Sequence, residues 1–125
     1  MDRIEVWKDI EGYEGLYQVS NLGRVKSLNY RGSRREKMLK PLKNRDGYLF
    51  VILYKNSEVK HFTIHRLVAN AFIKNPNNYP CVNHIDECRS NNNVNNLEWS
   101  TQKYNVNYGS GIKRASEKHK KQFIA

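Results

Sequence analysis

The residues best equipped for chemistry lie between Val82 and Asn107, in V-N-H-I-D-E-C-R-S-N-N-N-V-N-N-L-E-W-S-T-Q-K-Y-N-V-N. A single histidine, His84, stands twelve residues before Asn96 and twenty-one before Asn105. An imidazole can take a proton from water near neutral pH, and amide or carboxylate oxygens can hold a hard divalent cation. In a strongly basic chain, that combination points to hydrolysis of a phosphodiester with the help of one metal ion.

The charge supports a polyanionic partner. The chain has 125 residues, 22 Lys and Arg against 12 Asp and Glu, a net charge of +10 and a pI near 9.7. Nucleic acid is the first candidate and an anionic membrane surface the second. Hydrophobic residues make up 38% and the mean hydropathy is -0.84, so any core is thin. No apolar run approaches the roughly 20 residues needed to span a bilayer, and Met1-Asp2-Arg3-Ile4-Glu5 lacks the pattern of a secretion signal. The only cysteines, Cys81 and Cys88, are then expected as reduced thiols. These points predict a cytoplasmic setting.

The elements that must position the candidate site can be read from pattern. Residues 4–28 read as short strands broken at Gly12, Gly15 and Gly23, with Leu16, Val19, Leu22, Val25 and Leu28 as the buried set and Trp7 and Tyr13 as large anchors. Residues 29–46 are basic and loop-like. Residues 47–54 and 59–64 form a hairpin around Lys55-Asn56-Ser57-Glu58. His65–Ile73 is a short helix with Leu67, Val68, Ala71 and Phe72 on one face, ended by Asn75-Pro76. A short strand then ends at His84, Asp86–Asn96 forms an Asn-rich loop too polar for the core, and Leu97–Ser100 is a second strand. Thr101 caps a helix that carries Asn105. The fold class is α+β.

A strand–loop–strand–helix unit with His, Asn and Asn at these places resembles the HNH endonucleases of the phage and intron homing type. The likeness covers Val82–Asn107 and the helix before it. Trp7–Leu28, with G-Y-E-G-L-Y-x-V-S-N-x-G-R-V-x-S, resembles the nuclease-associated module (NUMOD type) that often precedes this class. The resemblance implies an N-terminal β-rich module with a basic loop at 1–46, a ββα-metal nuclease domain at 47–111 and a basic tail at 112–125.

It also implies roles. His84 falls on the general base, with one ring nitrogen free and the other held by a backbone carbonyl. Asn96 falls on the catalytic motif's structural position, pinning the loop so that the histidine points correctly. Asn105 and Asn83 fall on the two metal ligands, for one Mg²⁺ per site with Mn²⁺ as a substitute and no small-molecule cofactor. The family often has Asp where this chain has Asn83, and commonly Gly-Asn where it has Glu87-Cys88. Asp86, His65 and Arg66 are candidates for the cleft or for a phosphate, each with a plain structural alternative as turn former, core residue or surface charge. A zinc reading of Cys81, His84 and Cys88 lacks a fourth ligand.

Double-stranded DNA is the expected partner, gripped without base preference by Arg31, Arg34, Arg35, Lys37, Lys40, Lys43 and Arg45, and by Lys113, Arg114, Lys118, Lys120 and Lys121 in the tail. One site cuts one strand, so a monomer nicks and a double-strand break takes a homodimer or two events. The competing reading is a DNA-binding protein that keeps the scaffold without catalysis. A peripheral membrane protein, a third reading, lacks an amphipathic basic helix outside the short tail.

Overall fold

In the computed structural model, residues 4–101 are described. They form three antiparallel sheets around one helix. The first is a meander of β1 (Trp7–Asp9), β2 (Tyr17–Ser20), β3 (Val25–Ser27) and β4 (Lys37–Met38). The second joins β5 (Leu42–Lys43), β6 (Leu49–Lys55) and β7 (Glu58–Thr63). The third pairs β8 (Cys81–His84) with β9 (Leu97–Ser100). Helix α1 (Ile64–Phe72) follows β7 directly and packs against β2, β6, β7, β8 and β9.

Strand period places the core. Val19 and Val25 on β2 and β3, and Val51 and Leu53 on β6, point inward from alternate positions. They meet Ile64, Leu67, Val68 and Ala69 of α1, with Val82 and Leu97 closing the core from the third sheet. Tyr13 ties the first two sheets together, edge-on to Tyr17 at 5.8 Å and to Phe62 at 5.7 Å. Trp99 donates its indole N–H to the Ile73 carbonyl at 3.0 Å, which fixes β9 against the end of α1.

Several expectations are adjusted. The helix begins one residue earlier than expected and stops at Phe72, before Asn75-Pro76, because Ile73 is already extended. Asn75 instead closes the next turn, exchanging two 2.9 Å bonds with the backbone of Tyr79. Residues 29–46 are not all loop: they hold a 3-10 turn at Tyr30–Gly32 and the strands β4 and β5. Both strands lie at sheet edges and carry exposed lysines, a common way to keep an edge from recruiting another chain. Strand β5 pairs with β6, so one sheet reaches across position 46. Leu16, Leu22 and Leu28 are half-buried rather than buried, and Trp7 lies under the ammonium of Lys26 at 4.4 Å. Among the described residues no helix is long and apolar enough to cross a membrane.

Candidate active site

Strands β8 and β9 pair in simple register, Asn83 opposite Glu98 and His84 opposite Leu97. This puts Asn83 and His84 side by side at the end of a short strand, and both are 5% exposed. The His84 ring stands in a stack. Its centroid is 4.9 Å from that of His65 on α1 and 5.9 Å from that of Tyr48, while Tyr48 and His65 stack at 5.0 Å. Arg89 covers Tyr48 from outside, its guanidinium 4.9 Å from the ring centroid, and donates to the Asp46 carbonyl.

The second ring nitrogen of His84 is held by a side chain, not by the backbone carbonyl expected from the sequence. Nε2 lies 2.8 Å from Oδ1 of Asn92, which is itself 4% exposed. An amide oxygen only accepts, so Nε2 carries the proton in this arrangement and Nδ1 keeps the lone pair. Burial pushes the imidazole pKa of His84 below its ordinary value, and the Asn92 bond and the charge of Asp86 offset this in part. For His65, burial and then the charges of His84 and Arg66 push it down to about 3. Both rings are therefore neutral at pH 7, and a neutral imidazole is the form that accepts a proton.

Asn83 turns its amide nitrogen to the Glu98 carboxylate, donating to Oε2 at 2.9 Å. That bond leaves the Asn83 amide oxygen as its donor to a ligand. Among the described residues no three His, Cys, Asp or Glu side chains gather as a metal site, which removes the zinc reading. The Asn83 amide oxygen is a hard donor, of the kind that suits Mg²⁺ with several waters retained.

Asn96 makes the bonds a loop staple needs. Its amide nitrogen donates to Asp86 Oδ1 and to the Asn91 carbonyl, both at 2.9 Å, and its Oδ1 accepts from the Asp86 N–H at 3.0 Å. The Asp86 carboxylate is spent inside the loop, since it also accepts from Asn91 Nδ2 at 2.9 Å and from the Cys88 N–H at 2.8 Å. These donors hold its pKa below the ordinary carboxylate value. Asp86 thus sits apart from the stack, as a turn former. His65 lines the site, whereas Arg66 is exposed and donates to the Pro80 carbonyl, fixing the approach to β8.

Of the basic residues expected to grip DNA, Arg34, Arg35, Lys37, Lys40, Lys43 and Arg45 are exposed, and Arg31 falls in the 3-10 turn. Asn105, Lys113, Arg114, Lys118, Lys120 and Lys121 lie outside the described residues, as does the helix expected after Thr101. Sequence reasoning missed Asn92, Glu98, Arg89 and the stacking role of Tyr48. Only for Glu98 was there a usable signal: once β8 and β9 are paired, it falls opposite Asn83.

The chain is similar to several known proteins. Residues 5–54 match the NUMOD4 motif. The "DNA endonuclease I-HmuI" of Bacillus phage SP01 is 45% identical over 100 residues, which are 80% of this chain and 55% of that protein. The "Uncharacterized HNH endonuclease L245" of Acanthamoeba polyphaga mimivirus is 50% identical over 90 residues, 72% of this chain and 26% of that protein. A solved structure described as "DNA binding and cleavage by the HNH homing endonuclease I-HmuI" superposes with a TM-score of 0.76 at 39% identity, covering 94% of this chain and 64% of the other. The chain spans about half the length of the phage relative and about a quarter of the mimivirus one.

Proposed function

From a chain that carries the NUMOD4 motif and whose relatives are HNH and homing endonucleases, we propose a metal-dependent DNA endonuclease of the phage or mobile-element homing type. The observation that carries this reading is the pairing of His84 and Asn83 at one strand end. The ring is held neutral there, with Nδ1 as its free nitrogen, beside an amide whose oxygen is left to bind a cation.

In this reading His84 accepts a proton at Nδ1 from a water aligned with the scissile phosphorus. The bond from phosphorus to the 3′ oxygen breaks, giving 5′-phosphate and 3′-hydroxyl ends. Asn83 and Asn105 would hold one Mg²⁺, with Mn²⁺ as substitute, and when bound it would neutralise charge on the phosphate and on the leaving oxygen. Asn96 keeps the loop folded so that His84 stays aimed. Exposed cations at 34–45, with Arg31 and the tail residues, would neutralise phosphates of double-stranded DNA. Residues 1–46 serve as the nuclease-associated module, 47–111 as the nuclease core and 112–125 as the tail, the first two sharing the β5–β6–β7 sheet. A monomer would nick.

The binding-only alternative has one observation in its favour, the neutral Asn83 in place of an acidic ligand. Supercoiled plasmid incubated with the full chain and Mg²⁺, Mn²⁺ or EDTA separates the two. Metal-dependent open circles that vanish with His84→Ala and weaken with Asn105→Ala support the nuclease. DNA binding without cleavage under either metal would establish the alternative.

A further inference from the structure

The N-terminal module and the Asn-rich loop meet at one turn. Ser20 Oγ accepts from the N–H groups of Leu22 and Arg24, both at 3.1 Å, and the Gly23 N–H donates to the Ser20 carbonyl at 3.0 Å, so the turn is closed from within. Asn21 ties it to the chain start, accepting from the Val6 N–H at 2.7 Å, and its carbonyl accepts from the Val94 N–H at 2.8 Å. Gly23 has φ +93°, and a Cβ there would lie 2.9 Å from both Cβ and the carbonyl oxygen of Asn92. Gly12, Gly15 and Gly32 also have positive φ, yet each faces open space. Backbone conformation alone therefore explains those three glycines, whereas Gly23 is also required by the close approach of residue 92.

These contacts flank Asn92, whose side chain is buried and ends 2.8 Å from His84 Nε2. Turn, loop backbone and imidazole form a continuous chain of contacts.

We infer that the N-terminal module is a positioning element of the catalytic site: its Ser20–Arg24 turn sets the backbone at 92–94, and Asn92 thereby fixes the tautomer and direction of His84. The inference rests on the nuclease reading for calling His84 a base, but the placement of the ring is testable without it. Asn92 does not touch substrate; it acts through the ring. An imidazole without that acceptor can place its proton on either nitrogen and can rotate, as with the outer hydrogen bonds that orient metal-ligating histidines.

The test uses the full chain with ¹⁵N-labelled histidine. The ring resonances of His84 report its tautomer, and plasmid nicking gives kcat and KM. The native protein should show the Nε2–H form. Asn92→Ala should give mixed tautomers and a kcat lower by about 100-fold, with KM for DNA nearly unchanged. Gly23→Ala should reproduce that signature at about a tenth of the native kcat, while Gly15→Ala, strained at a similar φ but in open space, should lower only the melting temperature. If Gly23→Ala does not fold, Val94→Pro removes the N–H that Asn21 accepts and takes its place. Unchanged tautomer and kcat in Asn92→Ala, or a Gly23→Ala indistinguishable from Gly15→Ala, would overturn the inference. A native protein that nicks under neither metal defeats the nuclease reading alone, and the ring resonances then decide the positioning claim.

Discussion

Two hairpins in this molecule solve the same closure problem in opposite ways. The β6–β7 hairpin pairs strands of 7 and 6 residues through a two-residue turn, Asn56-Ser57, with φ of +51° and +66°. Its backbone ladder does the holding, and the turn side chains face solvent. The β8–β9 hairpin pairs strands of 4 residues each and closes through the long loop 85–96. That loop is held by side chains, with Asp86 and Asn96 at its hub. Conformational preference is enough for a short turn. A long loop that must present a buried histidine needs its backbone groups satisfied one by one.

The comparison is tested most sharply where the loop meets the chemistry. His84→Ala should lower nicking by about a thousandfold with DNA binding kept, as measured by plasmid nicking beside gel-shift titration. Asn96→Ala removes three bonds at the hub and should cost about 2 kcal/mol in urea denaturation, with nicking lost in parallel. If Asn96→Ala is silent, the loop is not held as described.

The neutral stack gives an acid limit of similar size. The fold holds His65 unprotonated down to about pH 3, whereas the unfolded chain protonates it near 6.5. The unfolded state therefore binds more protons between these values. Stability is full above about pH 6.5 and falls as the pH drops, by roughly 1 kcal/mol per unit. His65→Phe should flatten this limb, so that between pH 7.5 and 5 it loses about 2 kcal/mol less than the native chain. Equal losses would place the acid sensitivity elsewhere.

The smallest effect belongs to the tight turn. Ser57 holds a left-handed φ that favours glycine, and Asn-Gly is the preferred pair for such a hairpin turn. Ser57→Gly should raise stability by about 0.5 kcal/mol and leave nicking unchanged. A loss would show that the turn is more than a connection.

The same contrast explains what could be read in the sequence. The apolar run 49–54 and the turn residues after it exposed the β6–β7 hairpin, and the one-face pattern exposed α1, because burial imposes period on helix side chains that face a core. His84 stood out as the one histidine of its stretch, and Asn96 only through the register of the motif it resembles. Strands β4 and β5 were not, since two residues carry no period. Asn92 was not either. It stands among Asn91, Asn93, Asn95 and Asn96, all of one chemistry, and only the folded loop sorts them: Asn96 at the hub, Asn93 accepting from the Asn95 N–H at 3.0 Å, and Asn92 on the histidine. Of the site residues foreseen, Asn105 lies outside the described residues.

The loop beside His84 is knit mostly by uncharged amides, and its one hub carboxylate, though exposed, accepts from N–H groups of Cys88, Asn91 and Asn96. Bonds of that kind hardly respond to ionic strength, while attachment of lysines and arginines to a phosphate chain weakens steeply with it. Added salt would consequently release the polymer and leave the cutting centre assembled, so that dilution restores full turnover at once, without a refolding lag.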